Sequence, residues 1–287
     1  MKHSDWLLLI LPGVIWGTSF LFIAEGLRAI GPDGVTFLRI AIGFATLALF
    51  PSSWRRIAPR DWGAVALLGI VWFAFPMSMF PHAEERVSSA LTGMLNGAVP
   101  LFTAIVTYTL SRRLPSRGIA IGLTVGVTGA VLVALPSMHE GRSSTIGVLL
   151  ILAALISYGF ALSIALPLQQ RYGALPVIWR AQAVALVLTA PLGFPDLLTA
   201  QWTPGPVFSL AALGAFGTGI AFVLMTKSAA RLGPTRASAT AFLIPGVALL
   251  LGVAVRGEQV ALMSVIGCTV CVMGALLMRH AQERHTI

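Results

Sequence analysis

Charge is scarce in this sequence, and acid is scarcest. Ten Asp and Glu stand against nineteen Lys and Arg in 287 residues, so charged side chains make up only 10% of the chain. Soluble domains carry about 25%. Hydrophobic residues supply 57%, and the mean hydropathy is +0.88. This composition excludes a soluble globular domain and requires a polytopic membrane protein. Cysteine is nearly absent. Cys268 and Cys271 form a C-x-x-C inside an apolar run with no histidine or acid beside them. That excludes a disulfide framework and favours small packing residues over a redox or metal pair. Histidine is equally thin: His3, His82, His139, His280 and His285 are scattered, and no triad, P-loop or H-E-x-x-H pattern appears. A membrane enzyme, a metal site and a bound cofactor are therefore not expected. The pI near 11 would suit a nucleic-acid binder. The basic residues, however, sit in short clusters between apolar runs and share no single face, so no nucleic-acid partner is expected.

What the sequence does have is a series of long apolar runs. A helix needs about 20 apolar residues to cross the hydrocarbon. Ten spans are expected, at 7–24, 35–50, 62–81, 87–110, 117–136, 146–166, 176–194, 205–226, 234–255 and 260–279. The runs are too long and too evenly apolar for barrel strands, so the fold class is all-α. MKHSDWLLLILPGVIWG begins like a signal peptide but lacks a small-x-small cleavage site, and is read as a retained first span. With the N-terminus inside, thirteen Lys and Arg fall on the inner side: Lys2, Arg55, Arg56, Arg60, Arg112, Arg113, Arg117, Arg171, Lys227, Arg231, Arg236, Arg279 and Arg284. Four fall outside: Arg28, Arg86, Arg142 and Arg256. The bias predicts a multi-pass protein of the bacterial inner membrane with both termini cytoplasmic. The acids Glu25, Asp33, Glu84, Glu85, Glu140, Asp196 and Glu258 map outside.

The chain also repeats itself. IGLTVGVTGAVL (Ile121–Leu132) and IGCTVCVMGALL (Ile266–Leu277) agree at eight of twelve positions, 145 residues apart. The same offset pairs Pro100 with Pro245; slightly smaller ones pair Arg39 with Arg180 and Trp16 with Tyr158. Spans 1–5, in residues 1–140, thus repeat as spans 6–10, in residues 141–287. Five is odd, so the second copy must be inverted. Inverted repeats point to alternating access, with a site near the midplane where the halves meet.

IWGTSF, TFLRIAIGF, ERVSSALTGMLNGAVPLFTAIVTYTL and RLGPTRASATAFLIPGVALLLGVAVRGE, in that order over ten spans, resemble the drug/metabolite transporter superfamily of EamA type. The likeness covers essentially the whole chain. It implies export of small metabolites, often amino acids, across the bacterial inner membrane, with the aromatic amino-acid exporters as the first comparison. The family usually closes its fourth helix with an acid. Here that position reads SRRL, with Arg113 opposite Glu258.

A midplane site for a small zwitterion needs a few polar groups among apolar walls. The candidates are Trp16 and Ser19 in span 1, Ser78, Met79 and His82 in span 3, and Asn96 and Pro100 in span 4. Tyr158 and Ser163 in span 6, Trp179 and Gln182 in span 7, Phe222 in span 8 and Pro245 in span 9 complete the set. Asn96 either faces the cavity or bridges two helices. Pro100 and Pro245 free the carbonyls of Asn96 and Ala241. Arg39 and Arg180 lie about one turn inside their spans. Each either snorkels to the interface, anchoring a helix end, or lines a wet vestibule and attracts an anionic group. Gly118, Gly122 and Gly126 make a small-residue face on span 5, which is expected to pair structurally with span 10. No carboxylate is expected deep in a span, which favours facilitated diffusion over a proton-coupled antiporter. A lipid flippase of the same fold is the other alternative. The partners expected are a small-molecule substrate and the bilayer, with the monomer as the working unit.

Overall fold

A computed structural model describes residues 3–112, 114–139, 141–233 and 237–284. Lys2, Arg113, Glu140, Arg236 and His285, which entered the reading above, lie outside them, as do the side chains of His3, Arg142 and Arg284. The described residues form helices and no strand: α1 (His3–Gly26), α2 (Pro32–Ala48), α3 (Pro59–Glu84), α4 (Ser89–Asn96), α5 (Val99–Ser111), α6 (Arg117–His139), α7 (Arg142–Tyr172), α8 (Ala174–Thr199), α9 (Pro204–Leu232), α10 (Ser238–Arg256) and α11 (Leu262–Arg284).

Eight of these helices are long and apolar enough to cross a membrane: α1, α3 and α6–α11. A ninth span forms if α4 and α5, bent by 43° at a short break, are counted together. The tenth expected span is α2, whose 17 residues reach only about 26 Å, against a hydrocarbon core of about 30 Å. The break between α4 and α5 corrects one expectation. Pro100 does not sit in the middle of a continuous helix. It lies in the first turn of α5, where its missing N–H costs nothing.

The packing is unchanged when the two halves are exchanged. α6 packs on α11, α2 on α8 and α4 on α10. α2 against the middle of α9 is mirrored by α8 against the middle of α3. α3 on α7 is mirrored by α9 on α1, and α5 on α7 by α10 on α1. Equivalent helices run antiparallel. Gly118 faces Ala281 while Gly129 faces Cys271, and Ser89 meets Glu258 while Gly97 meets Pro245. This is the inverted repeat expected from the sequence. Both halves also widen into a π-turn at matching places, Gly69–Ala74 in α3 and Leu213–Ile220 in α9.

The α6–α11 pair is tight because glycine removes side chains from the seam. A methyl group on Gly129 would strike the backbone of Cys271, and one on Gly274 the backbone of Gly126. Cys268 and Cys271 are buried free thiols in this seam, as packing residues should be. Two apolar cores fill the rest. One gathers Phe20, Ile23, Met94, Leu101, Ile151 and Leu213; the other gathers Ile40, Leu68, Phe73, Val177, Ile178 and Phe222. Each core mixes residues of both halves, and Trp16 and Tyr158, the pair related by the repeat, pack against both cores.

Candidate functional site

The π-turn of α9, LGAFGTGI, organises the centre. A π-turn shifts the backbone register and leaves carbonyls for outside donors, and such turns are frequent at functional sites. Trp16 Nε1 donates to Gly217 O at 3.0 Å, and Gln182 Nε2 donates to Thr218 O at 2.8 Å. The Thr218 hydroxyl accepts from Arg39 Nε at 3.3 Å. Glycine lets the partners approach: a methyl group on Gly217 would crowd Ser19 Oγ. Phe222 sets its ring edge-on to Trp16, with centroids 5.6 Å apart. Trp16, Ser19, Arg39, Gln182 and Phe222 therefore converge from α1, α2, α8 and α9. Thr218 was missed by sequence reasoning, although the glycine spacing around it was the available signal.

Arg39 does not snorkel. It is 6% exposed, and its Nε–Thr218 bond is the one hydrogen bond its side chain makes to described residues. Tyr158 and Glu84 are the ionisable groups close enough to act on it electrostatically. An arginine carries five N–H donors, so most of its donor capacity remains unspent. Gln182 adds a buried Oε1 that has no partner among the described residues.

The matching π-turn of α3 also frees a carbonyl. Pro76 has no N–H to give back toward Val71, and the Ser157 hydroxyl takes the Val71 carbonyl at 2.7 Å. Pro81 likewise releases the Met77 carbonyl, which accepts from Thr36 Oγ1 at 3.3 Å. Tyr158 stacks on Phe80 at 6.0 Å, and Met79 packs on the first core.

The other expected site residues lie apart from the Thr218 group. Trp179 stacks on Phe44 at 5.2 Å and donates to the Phe44 carbonyl. Ser163 bonds back to Gly159 O at 3.0 Å. The Ser78 carbonyl is engaged by His82 Nδ1 at 2.9 Å. Asn96 is half-buried at the end of α4, next to the break, and its amide makes no hydrogen bond to described residues. It therefore does not bridge two helices here. Pro245 is buried in α10 against Gly97, so the irregular segments of the two halves touch. Arg180 is partly exposed and caps the carbonyls of Ser53 and Trp54 at 3.0 and 3.3 Å.

The bundle has two unlike ends. At the end away from the termini, here the distal end, carboxylates of the second half cap helices of the first. Asp196 Oδ2 accepts from Gly34 N at 2.9 Å. Glu258 accepts from Ser89 N (3.0 Å), Ser89 Oγ (2.7 Å) and Ala90 N (2.8 Å) at the start of α4. Arg256 joins Glu258 at 3.2 Å to Glu25 of α1 at 2.6 Å. Toward the termini, α5 leaves α10 and packs on α7. A cleft of about 660 Å³ opens at the distal end, lined by Arg28, Glu84, Glu85, Gln201 and Arg256 among others. It contains none of the residues selected from the sequence. Glu84 lies at a span end, the last residue of α3, but with both oxygens buried and not in solvent.

Two stretches of the chain, residues 5–135 and 145–279, match the EamA-like transporter family. A protein of Streptantibioticus cattleyicolor named "Probable terminal-alkyne amino-acid exporter" is 27% identical over 94% of this chain and 91% of its own. The "Uncharacterized inner membrane transporter YedA" of Escherichia coli K12 is 28% identical over 92% of this chain and 87% of its own. The "Uncharacterized transporter YdfC" of Bacillus subtilis 168 is 25% identical over 91% and 86%. A crystal structure covering all of both chains superposes with a TM-score of 0.64 at 20% identity, a likeness of fold.

Proposed function

This chain belongs to the EamA-like transporter family, and we propose that it exports small amino acids or similar carboxylate-bearing metabolites by alternating access. That it is a multi-span membrane transporter and not an enzyme follows from the family; the cargo and the cycle are our reading. The observation that carries the reading is Arg39. A buried guanidinium with unspent donors, beside Trp16, Gln182 and Thr218, suits a carboxylate held against an aromatic wall. The relative named for amino-acid export supports the same cargo class.

In this reading, residues 1–140 and 141–287 act as the two rocking halves of a monomer. The clustered Lys and Arg favour cytoplasmic termini in an inner-membrane protein. The distal end then faces outward and is closed by Glu258 on α4, while α5 stands away from α10 on the inner side. The test is efflux from proteoliposomes loaded with a panel of labelled amino acids. Efflux of a subset, competed by other α-carboxylates and not by the corresponding amines, is the expected result. Efflux of none, or equal movement of the decarboxylated amines, would overturn the cargo. Transbilayer movement of labelled lipid in the same vesicles would favour the flippase alternative.

A further inference from the structure

The acids at the distal end have partners, with one exception. Glu25 pairs with Arg28 and Arg256. Glu258 is held by Ser89, Ala90 and Arg256. Glu85 pairs with Arg86, and Asp33 lies 3.9 Å from His82. Asp196 holds Gly34 N. Glu84 alone among these accepts no hydrogen bond from the described residues, although both of its oxygens are sealed from solvent. Glu258, Arg256 and Arg39 are the charged groups that act on it. Toward the distal end, the other ionisable groups on the segments around it are Asp33 on α2, Glu25 on α1 and Arg28 just after it, Tyr158 on α7, and His82, Glu85 and Arg86 on its own segment.

A carboxylate in such a place has lost its water and gained no donor in return. Arg256 is already spent on Glu25 and Glu258, and Arg39 bonds to Thr218. The oxygens are too enclosed to admit a hydrated cation or an ammonium group. A proton is the one ligand that fits and that removes the charge. Glu84 also borders the distal cleft. Parting of α4 from α10 would widen that cleft and bring water to the carboxylate.

We propose that Glu84 is a proton-binding site whose occupancy closes the distal end, so that a proton taken from the distal solution is linked to the transport cycle. The inference rests on reading α4 and α10 as the distal gate, not on the choice of cargo. The linkage has a definite sign. The closed state holds the proton and the open state releases it to water. Closing therefore strengthens as pH falls, by at most about tenfold per pH unit for one proton.

Ala90 is buried on the α4–α10 seam against Gly252, and the native thiols are buried. An Ala90→Cys protein in proteoliposomes, labelled with a membrane-impermeant thiol reagent, reports parting of α4 from α10. Each rate is divided by that of the same thiol in unfolded protein at the same pH, because thiolate fraction falls with pH. The normalised rate should fall as pH falls, and with Glu84→Gln it should be low at every pH. Infrared spectra of the purified protein should show a protonated-carboxyl band that Glu84→Gln removes. A wild-type rate independent of pH, an unchanged profile in Glu84→Gln, or an unchanged band would overturn the proposal. Labelling that responds to added amino acid but not to pH would keep the gate and remove the proton. Absence of amino-acid efflux with a normal pH profile would remove only the cargo.

Discussion

Arg39 and Arg180 occupy matching places in the two halves and end in different environments. Arg39 is buried at the centre with one hydrogen bond, to a threonine. Arg180 is partly exposed, donates to the carbonyls of Ser53, Trp54 and Pro176, and lies 5.5 Å over the Trp179 ring. The difference starts at the opposite π-turn. Arg39 meets Thr218 on α9, but 145 residues earlier the repeat offers Phe73 on α3. A phenyl ring accepts no hydrogen bond of that kind, and Arg180 turns to the carbonyls of the loop before α3. Sequence repetition thus delivers two arginines to equivalent backbone positions, and the chemistry facing each one decides its work. Arg180 makes the helix-end contacts of an anchor, and Arg39 as a binding charge is our proposal.

Three substitutions test this contrast. Arg39→Ala should have the largest effect, lowering transport efficiency about a hundredfold, or ~2.8 kcal/mol, with little change in melting temperature. An efflux assay beside a thermal melt checks it, and a large loss of stability with residual transport would return Arg39 to a structural role. Asn96→Ala comes next. Its counterpart in the repeat is already Ala241, and its amide has no partner among the described residues, so transport should fall about tenfold, ~1.4 kcal/mol, at normal expression. Unchanged efflux would remove Asn96 from the site. Arg180→Ala should have the smallest transport effect, within about twofold. Its cost should appear as stability, about 1 kcal/mol from lost carbonyl caps at a partly exposed site. Transport loss in this variant equal to that in Arg39→Ala would erase the distinction between the halves.

Much of the architecture was legible in the residues. The GxxxG face of α6 foretold the seam with α11, because small residues let backbones touch there. Trp16 and Tyr158 were paired by sequence and both proved to lie between the two cores. The site was legible only in part. Gln182 and Phe222, which lie in the Thr218 group, were selected because polar and aromatic groups deep in spans stand out. Thr218 was hidden among glycines, and Ser163 and Trp179 stood out equally yet turn to their own helix or to Phe44. Glu84 was placed outside, since a span-end acid gives no hint of whether its carboxylate faces water or protein.

Composition and periodicity were sufficient for the membrane class, the helical fold and the inverted repeat, because lipid allows few backbone solutions and charge must leave the bilayer. Those constraints act on each segment separately. Which arginine is buried, which acid lacks a partner and which end is latched depend on groups from helices far apart in the chain. Only their packing brings Arg39 to Thr218 and Glu258 to Ser89, or leaves Glu84 without a donor among the described residues.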